Sequence, residues 1–155
     1  MKLASLHLAS ALLLVASVPA ASPAQDRGFG LGVIFGQPTG LSGKFWLSPA
    51  GNAVDLAAAW SFGEGGFFSA HATYLWHFPH AISSSERFVP YLGPGVRFGA
   101  KKQDAALGVR VAGGIAWWPK GAPVDVFLEL APILSLIPGT GFDMTGGIGA
   151  RYYFN

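Results

Sequence analysis

From Leu41 onward, apolar side chains alternate with small or charged ones in segments of about ten residues. In the segment 107–117, Leu107 and Val109 lie on one parity and Arg110 lies on the other. Successive side chains of a β-strand point to opposite faces, so a period of two predicts strands with one apolar face. Every charge inside these apolar runs falls on the opposite parity. An apolar outside and a small, charged inside are typical of a transmembrane β-barrel.

Clusters of Gly, Pro, Asn and Ser divide the chain beyond residue 27 into eight runs. The sequence therefore predicts an all-β fold, an eight-stranded antiparallel up-and-down transmembrane β-barrel. Pro94 and Pro132 fall inside two of the runs, and we expect a bulge at Pro94 because proline cannot donate to the ladder. The predicted strands are Gly28–Gly36, Leu41–Ser48, Ala53–Phe62, Phe67–His77, Arg87–Gly99, Ala105–Trp117, Val124–Leu134 and Phe142–Phe154.

Large outward aromatic side chains provide an independent test of this assignment. With the N-terminus in the periplasm, they gather at the two rims of the barrel, as the interfacial girdles of such proteins do. The predicted periplasmic girdle contains Trp76, Phe88, Trp117, Tyr152 and Phe154, and the opposite girdle contains Phe62, Phe68, Phe98 and Phe142.

Eight charged side chains are predicted to face the interior, four bases and four acids. They support either a path for protons or ions, or a salt-bridge network that fills a closed lumen. We favour the network, because eight strands leave an interior just wide enough for side chains. Glu129 lies between the strands of two bases and is expected to reach either Arg110 or Arg151. The predicted network consists of Lys44, Asp55, Arg97, Arg110, Asp125, Glu129, Asp143 and Arg151.

Composition agrees with a lipid-facing barrel. Hydrophobic residues make up 51% of the chain and charged residues 12%, about half the charged fraction of soluble domains. A soluble core of this size could not enclose so much apolar surface. Removal of Lys2 with an N-terminal signal would leave nine basic residues against eight acidic ones, so we expect no nucleic-acid partner.

The first 24 residues are typical of an export signal. Lys2 supplies a positive start, Leu8–Val18 is apolar, and small residues precede two candidate cleavage points, after Ala20 or after Ala24. A first transmembrane helix is the alternative, but the run is shorter than the roughly 20 residues that a span needs. We therefore expect a cleaved signal peptide over 1–24 and one barrel domain over 25–155.

Candidate catalytic and metal-binding residues are few. Ser69 and His71 share an inward face, but residues two apart on a strand lie ~6.5–7 Å apart, which is long for a nucleophile and its base. His71 and His77 are too far apart along a strand to share an ion, and no Cys or paired carboxylate accompanies them or His80. We therefore expect no catalytic, cofactor or metal site.

The closing run, 149–154, resembles the aromatic C-terminal strand of the small eight-stranded outer-membrane barrels of the OmpA and OmpX type. The resemblance is one of architecture and covers Gly28 to Phe154. It implies location in the bacterial outer membrane, contact with its lipid, and an assembly signal at Tyr152 and Phe154 for the barrel-assembly machinery. In that family the last residue is usually the aromatic one, whereas here Asn155 follows it.

Residues 37–47, residues 126–132 and the closing run are also similar to a family of outer-membrane barrels without an assigned function. That resemblance implies no catalytic residues. We expect a structural or adhesive, ligand-binding role rather than an enzyme, with the extracellular ligand left open. The alternatives are a lipid-modifying outer-membrane enzyme, such as a lipid A deacylase or acyltransferase, and a secreted lipocalin-like carrier. An apolar interior would suit the carrier, and inward Arg110, Glu129 and Arg151 argue against it.

Overall fold

The computed structural model describes residues 25–61 and 65–154. Each strand pairs antiparallel with the next, and the first pairs with the last, so the sheet closes. The predicted eight-stranded, antiparallel, up-and-down, all-β barrel is confirmed, and no helix occurs within the described residues. The strands are β1 (Phe29–Gly36), β2 (Gly40–Trp46), β3 (Asn52–Ser61), β4 (Phe67–His77), β5 (Arg87–Lys101), β6 (Asp104–Trp118), β7 (Val124–Ile137) and β8 (Gly141–Phe154).

Some predictions fall on residues outside this part of the chain. The expected signal peptide over 1–24 lies there, as do Phe62 and Asn155. Within the part that is described, no helix is long and apolar enough to cross a membrane.

The second half of the barrel has longer strands than the first. β5 and β6 contain 15 residues each, whereas β1 contains 8 and β2 contains 7. The predicted strands stopped short at the β5–β6 and β7–β8 hairpins, because both faces of the sheet are exposed there and the alternation disappears: residues 104–107 are exposed in succession. The extra length raises the wall of the barrel on this side.

The two faces of the sheet differ sharply in chemistry. Outward side chains such as Leu31, Leu128 and Ile148 are about half exposed, whereas inward Ala112 and Trp118 are fully buried. Each strand contributes large apolar side chains to the outer face. The interior is narrow, and glycines on the inward parity leave room for its larger side chains. A Cβ on Gly149, for example, would collide with the Phe127 ring.

The prediction of a bulge at Pro94 is wrong. The β5–β6 register runs unbroken through Pro94 and Val111. The β4–β5 ladder has no pairs for Tyr74 and Leu75, but its register is the same on either side of that gap. Proline therefore costs ladder hydrogen bonds without inserting an extra residue. The shift in register lies elsewhere, next to Leu107 in the β6–β7 ladder.

Candidate functional site

One end of the barrel, where β2, β4, β6 and β8 finish, is closed by aromatic side chains. Trp46, His77 and Trp118 are buried there. The ring centroids of Trp46 and His77 lie 4.4 Å apart, and those of Trp46 and Trp118 lie 5.8 Å apart. His77 is fixed through its Nδ1, 3.0 Å from the carbonyl oxygen of Gly51. We call this the closed end, and we call Trp46, His77 and Trp118 the aromatic seal.

The segment before β1 also covers the closed end. Gln25 is 1% exposed. Its side-chain Nε2 donates hydrogen bonds to the carbonyl oxygens of Pro119 and Ala122, at 2.8 and 2.5 Å. The carbonyl oxygen of Asp26 accepts from the backbone N–H of Ala50 at 2.8 Å. The segment is therefore tied to the β2–β3 and β6–β7 turns.

Arg151 forms the centre of the larger buried charge cluster. Its Nε donates to Asp125 Oδ1 at 3.2 Å, and its Nη1 donates to Asp55 Oδ2. The guanidinium carbon also lies 4.0 Å from the centroid of the Phe127 ring. Asp55 belongs to β3 and Asp125 to β7, so one guanidinium from β8 connects both sides of the lumen.

The two aspartates have further partners in the lumen. Asp125 Oδ2 accepts the Tyr153 hydroxyl at 2.6 Å, and Asp55 Oδ1 lies 3.3 Å from His71 Nε2. Lys44 Nζ lies 3.9 Å from Asp125 Oδ2. Hydrogen bonds to ionised groups are among the strong ones in proteins, and here they surround both buried carboxylates.

The Lys44 ammonium is held largely by aromatic faces. It lies 4.7 Å from the centroid of the Trp46 ring and 5.3 Å from that of Tyr91. Lys44 is fully buried, and its ammonium has no hydrogen-bond partner among the described residues. Cation–π attraction is strongest for desolvated cations, so the aromatic seal also stabilises a charge.

A second buried cluster occupies the lumen nearer the opposite end. Arg110 Nη2 donates to Glu129 Oε1 at 2.6 Å, and Arg110 Nη1 donates to Thr73 Oγ1 at 2.9 Å. The Tyr91 hydroxyl donates to Glu129 Oε2 at 3.1 Å. These side chains come from β4, β5, β6 and β7. Glu129 thus pairs with Arg110, whereas Arg151, the other base expected within its reach, belongs to the first cluster.

The remaining two charges of the predicted network lie apart from these clusters. Arg97 Nη1 is 3.7 Å from Asp143 Oδ2, and their side chains are 35% and 59% exposed. They lie at the end opposite the aromatic seal, where the β5–β6 and β7–β8 hairpins project; we call it the open end. The structure therefore buries six of the eight predicted charges, three bases and three acids: Lys44, Asp55, Arg110, Asp125, Glu129 and Arg151.

The histidines and the inward serine do not come together. His71 contacts Asp55, His77 belongs to the aromatic seal, and His80 is exposed in the β4–β5 connection. Ser69 is buried on the same face as His71, and no hydrogen bond joins the two in the described residues. In that part of the chain, no three His, Asp or Glu side chains are grouped so as to hold a metal ion.

The sequence prediction missed the large aromatic side chains of the lumen, including those of the aromatic seal. Trp46, Tyr91, Trp118, Phe127 and Tyr153 all face inward and are buried. Their parity was available as a signal, because each occupies the same parity as the inward charges of its strand. The contribution of Gln25 carries no such signal, since it depends on a turn about a hundred residues away.

The predicted assembly residues lie on the last strand. Tyr152 and Phe154 point outward near the closed end, with ring centroids 4.9 Å apart in an edge-on arrangement. Phe154 is opposite Phe29 of β1 in the ladder that closes the barrel. Both side chains therefore lie beside the seam between the first and last strands.

No protein-family model, curated protein or solved structure is significantly similar to this chain. We therefore infer function from the chemistry of the outer face, the lumen and the open end.

The first prediction concerns the second buried cluster, in which Glu129 pairs with Arg110. Replacing Glu129 with Leu should lower the free energy of unfolding by ~3–5 kcal/mol, because it leaves Arg110 buried without its carboxylate. Adding Arg110→Leu should recover much of that loss, whereas adding Arg151→Leu should not. Denaturant unfolding in detergent of the three single variants and the two double variants measures both couplings. Equal coupling to the two arginines would contradict the separation of the clusters.

Proposed function

We propose that this protein is an integral barrel of the bacterial outer membrane, structural or adhesive in role, closed to ions and without catalytic activity. The observation that carries this proposal is the outer face. Large apolar side chains cover all eight strands there and are half exposed, while the lumen contains the charges. Contiguous apolar surface on this scale is unusual for a soluble monomer, and lipid is the solvent that suits it.

Aromatic side chains at the two rims support the same conclusion. Trp117 pairs with Phe88 near the closed end, and its indole Nε1 donates to Glu86 Oε2 at 3.0 Å. Near the open end, the rings of Phe68 and Phe98 lie 6.3 Å apart on the outer face. Tryptophan with its apolar body in hydrocarbon and its N–H at the polar boundary is typical of membrane interfaces.

The contents of the lumen support a closed barrel. Arg151 and Arg110 connect strands on different sides of the interior, and the aromatic seal covers one mouth. A porin needs many more strands to leave an aqueous channel, whereas eight strands enclose packed side chains. The outer-membrane lipid and the barrel-assembly machinery are the partners that this proposal implies, the latter through Tyr152 and Phe154.

The second prediction tests the proposal directly. The mature protein should fractionate with the outer membrane and should change its gel mobility on boiling, as closed barrels do. Purified protein in a planar bilayer should show no steady conductance. Recovery as a soluble periplasmic protein without a heat shift would refute the membrane location, and a stable ohmic channel would refute the closed lumen.

The third prediction concerns depth in the bilayer. Val111 lies at the middle of β6 and faces outward, whereas Phe142 faces outward at the start of β8. In lipid vesicles, Val111→Arg should lower the free energy of unfolding by ~2–4 kcal/mol, and Phe142→Arg by only ~0–1 kcal/mol. Urea unfolding of the two variants gives the comparison. Equal losses at the two positions would show that the outer face does not meet a bilayer.

The fourth prediction concerns assembly. Phe154→Ser should reduce the amount of heat-modifiable barrel that reaches the outer membrane in cells, because it removes an outward aromatic beside the closing seam. Phe142→Ser is the matched control, since it removes an exposed outward aromatic from the other end of β8. If both variants assemble at wild-type yield, the assembly signal lies elsewhere.

A further inference from the structure

The open end encloses a cavity of about 540 Å³. This volume lies within the range of about 300–1,000 Å³ that is typical of sites for small molecules. The projecting β5–β6 and β7–β8 hairpins form its taller wall, and the 37–39 turn contributes to the lower one. Its polar lining includes Ser69, Arg97, Lys101, Asp104, Asp143 and Thr145.

The cavity ends on a polar floor inside the barrel. Ser69 and Thr145 are 6% and 5% exposed and lie at its bottom. The Thr145 hydroxyl donates to the Ala131 carbonyl at 3.2 Å, so its lone pairs remain available to a ligand. Below the floor, Arg110, Thr73 and Glu129 close the lumen. A molecule that enters the cavity is therefore held there rather than passed through the barrel.

Arg97 and Asp143 present unlike charges side by side in the cavity wall. Their closest atoms are 3.7 Å apart, too far for a direct hydrogen bond. The backbone N–H of Met144 donates to Asp143 Oδ1 at 2.8 Å, which fixes the orientation of the carboxylate. Among the described residues, no acceptor is hydrogen-bonded to the Arg97 guanidinium, which can bind a carboxylate through two parallel N–H groups.

Among the described residues, the charged side chains that line the cavity balance. Lys101 and Asp104 at its lip add one charge of each sign to those of Arg97 and Asp143. A ligand that carries a single charge would satisfy one member of the Arg97–Asp143 pair and repel the other, whereas a zwitterion satisfies both. Pro38, Phe67 and Pro138 also line the cavity, so it offers apolar contacts beside the charged ones.

We propose that the open end is a binding site for a small zwitterion with an apolar side chain, an amino acid or a short peptide, whose carboxylate binds Arg97 and whose ammonium binds Asp143. The site extends the proposed function by giving the barrel a ligand. It depends on the geometry of the open end and not on the location of the protein.

The experiment is a nuclear magnetic resonance titration of the full barrel in micelles of a non-ionic detergent. The probes are glycyl-leucine, its N-acetyl form, which is an anion, and its C-terminal amide, which is a cation. The backbone amides of Gly99 and Thr145 report on the cavity. Glycyl-leucine should shift these signals and should bind at least about tenfold more tightly than either singly charged probe, because each loses one charge-assisted contact.

Single-residue variants assign the two contacts. Arg97→Gln should weaken the binding of glycyl-leucine about tenfold, since the carboxylate has lost its partner. Glycyl-leucine should then bind no more tightly than its amide. In the Asp143→Asn variant, glycyl-leucine should bind no more tightly than its N-acetyl form, since the ammonium has lost its partner. Arg87→Gln, which removes an exposed arginine at the closed end, is the control and should change none of the affinities.

The heat-shifted band on a gel shows that each variant is folded. Shifts that are absent with all three probes would overturn the proposal, as would equal affinities for them. An equal loss in the Arg87→Gln control would also overturn it. Any of these results would leave the outer-membrane proposal standing, because fractionation tests that separately.

Discussion

The ion pairs of the Arg151 guanidinium are the interactions on which the rest of the interior depends. The guanidinium is fully buried, and it joins Asp125 of β7 to Asp55 of β3 across the lumen. Removing such a charge from water is costly, and attraction to its partners offsets the cost only where the geometry is good. The closed register of the sheet provides that geometry, because it brings β3, β7 and β8 around one narrow space.

The same network makes the two ends of the barrel different. Near the closed end, Lys44 extends the Arg151 cluster to Trp46 and Tyr91, so aromatic packing and charge stabilisation occur in one place. Towards the open end, the Arg110 cluster contains the last buried ion pair. Beyond it, Arg97 and Asp143 are partly exposed, and the longer hairpins enclose space instead of side chains. The chain therefore combines a blocked lumen with an accessible cavity, an arrangement that agrees with the proposed binding site.

The alternation of side chains was enough to predict the fold and the inward parity of the charges, because in a barrel parity alone decides which face a residue occupies. It could not predict the pairs. Glu129 was within expected reach of two arginines, and the choice of Arg110 depends on how far strands are staggered around a closed sheet. The prediction at Pro94 is wrong for a related reason: the ladder loses pairs locally, and the strand does not bulge. The hairpin tips were missed because alternation requires one buried face, and the sheet there is exposed on both.

An inside-out distribution of polarity changes what holds the barrel together. A soluble domain gains most of its stability by moving apolar side chains out of water, but here most of the large apolar side chains are on the outside. Closure pairs β1 with β8, so no edge strand is left with unpaired backbone groups, and the lumen adds charge-assisted hydrogen bonds. Both contributions are stronger where water is excluded. Lipid around the outer face, as we propose, would exclude water from the ladder as the aromatic seal excludes it from the lumen. The apolar exterior and the charged interior therefore follow from one constraint, the need to keep water away from the hydrogen bonds of the barrel.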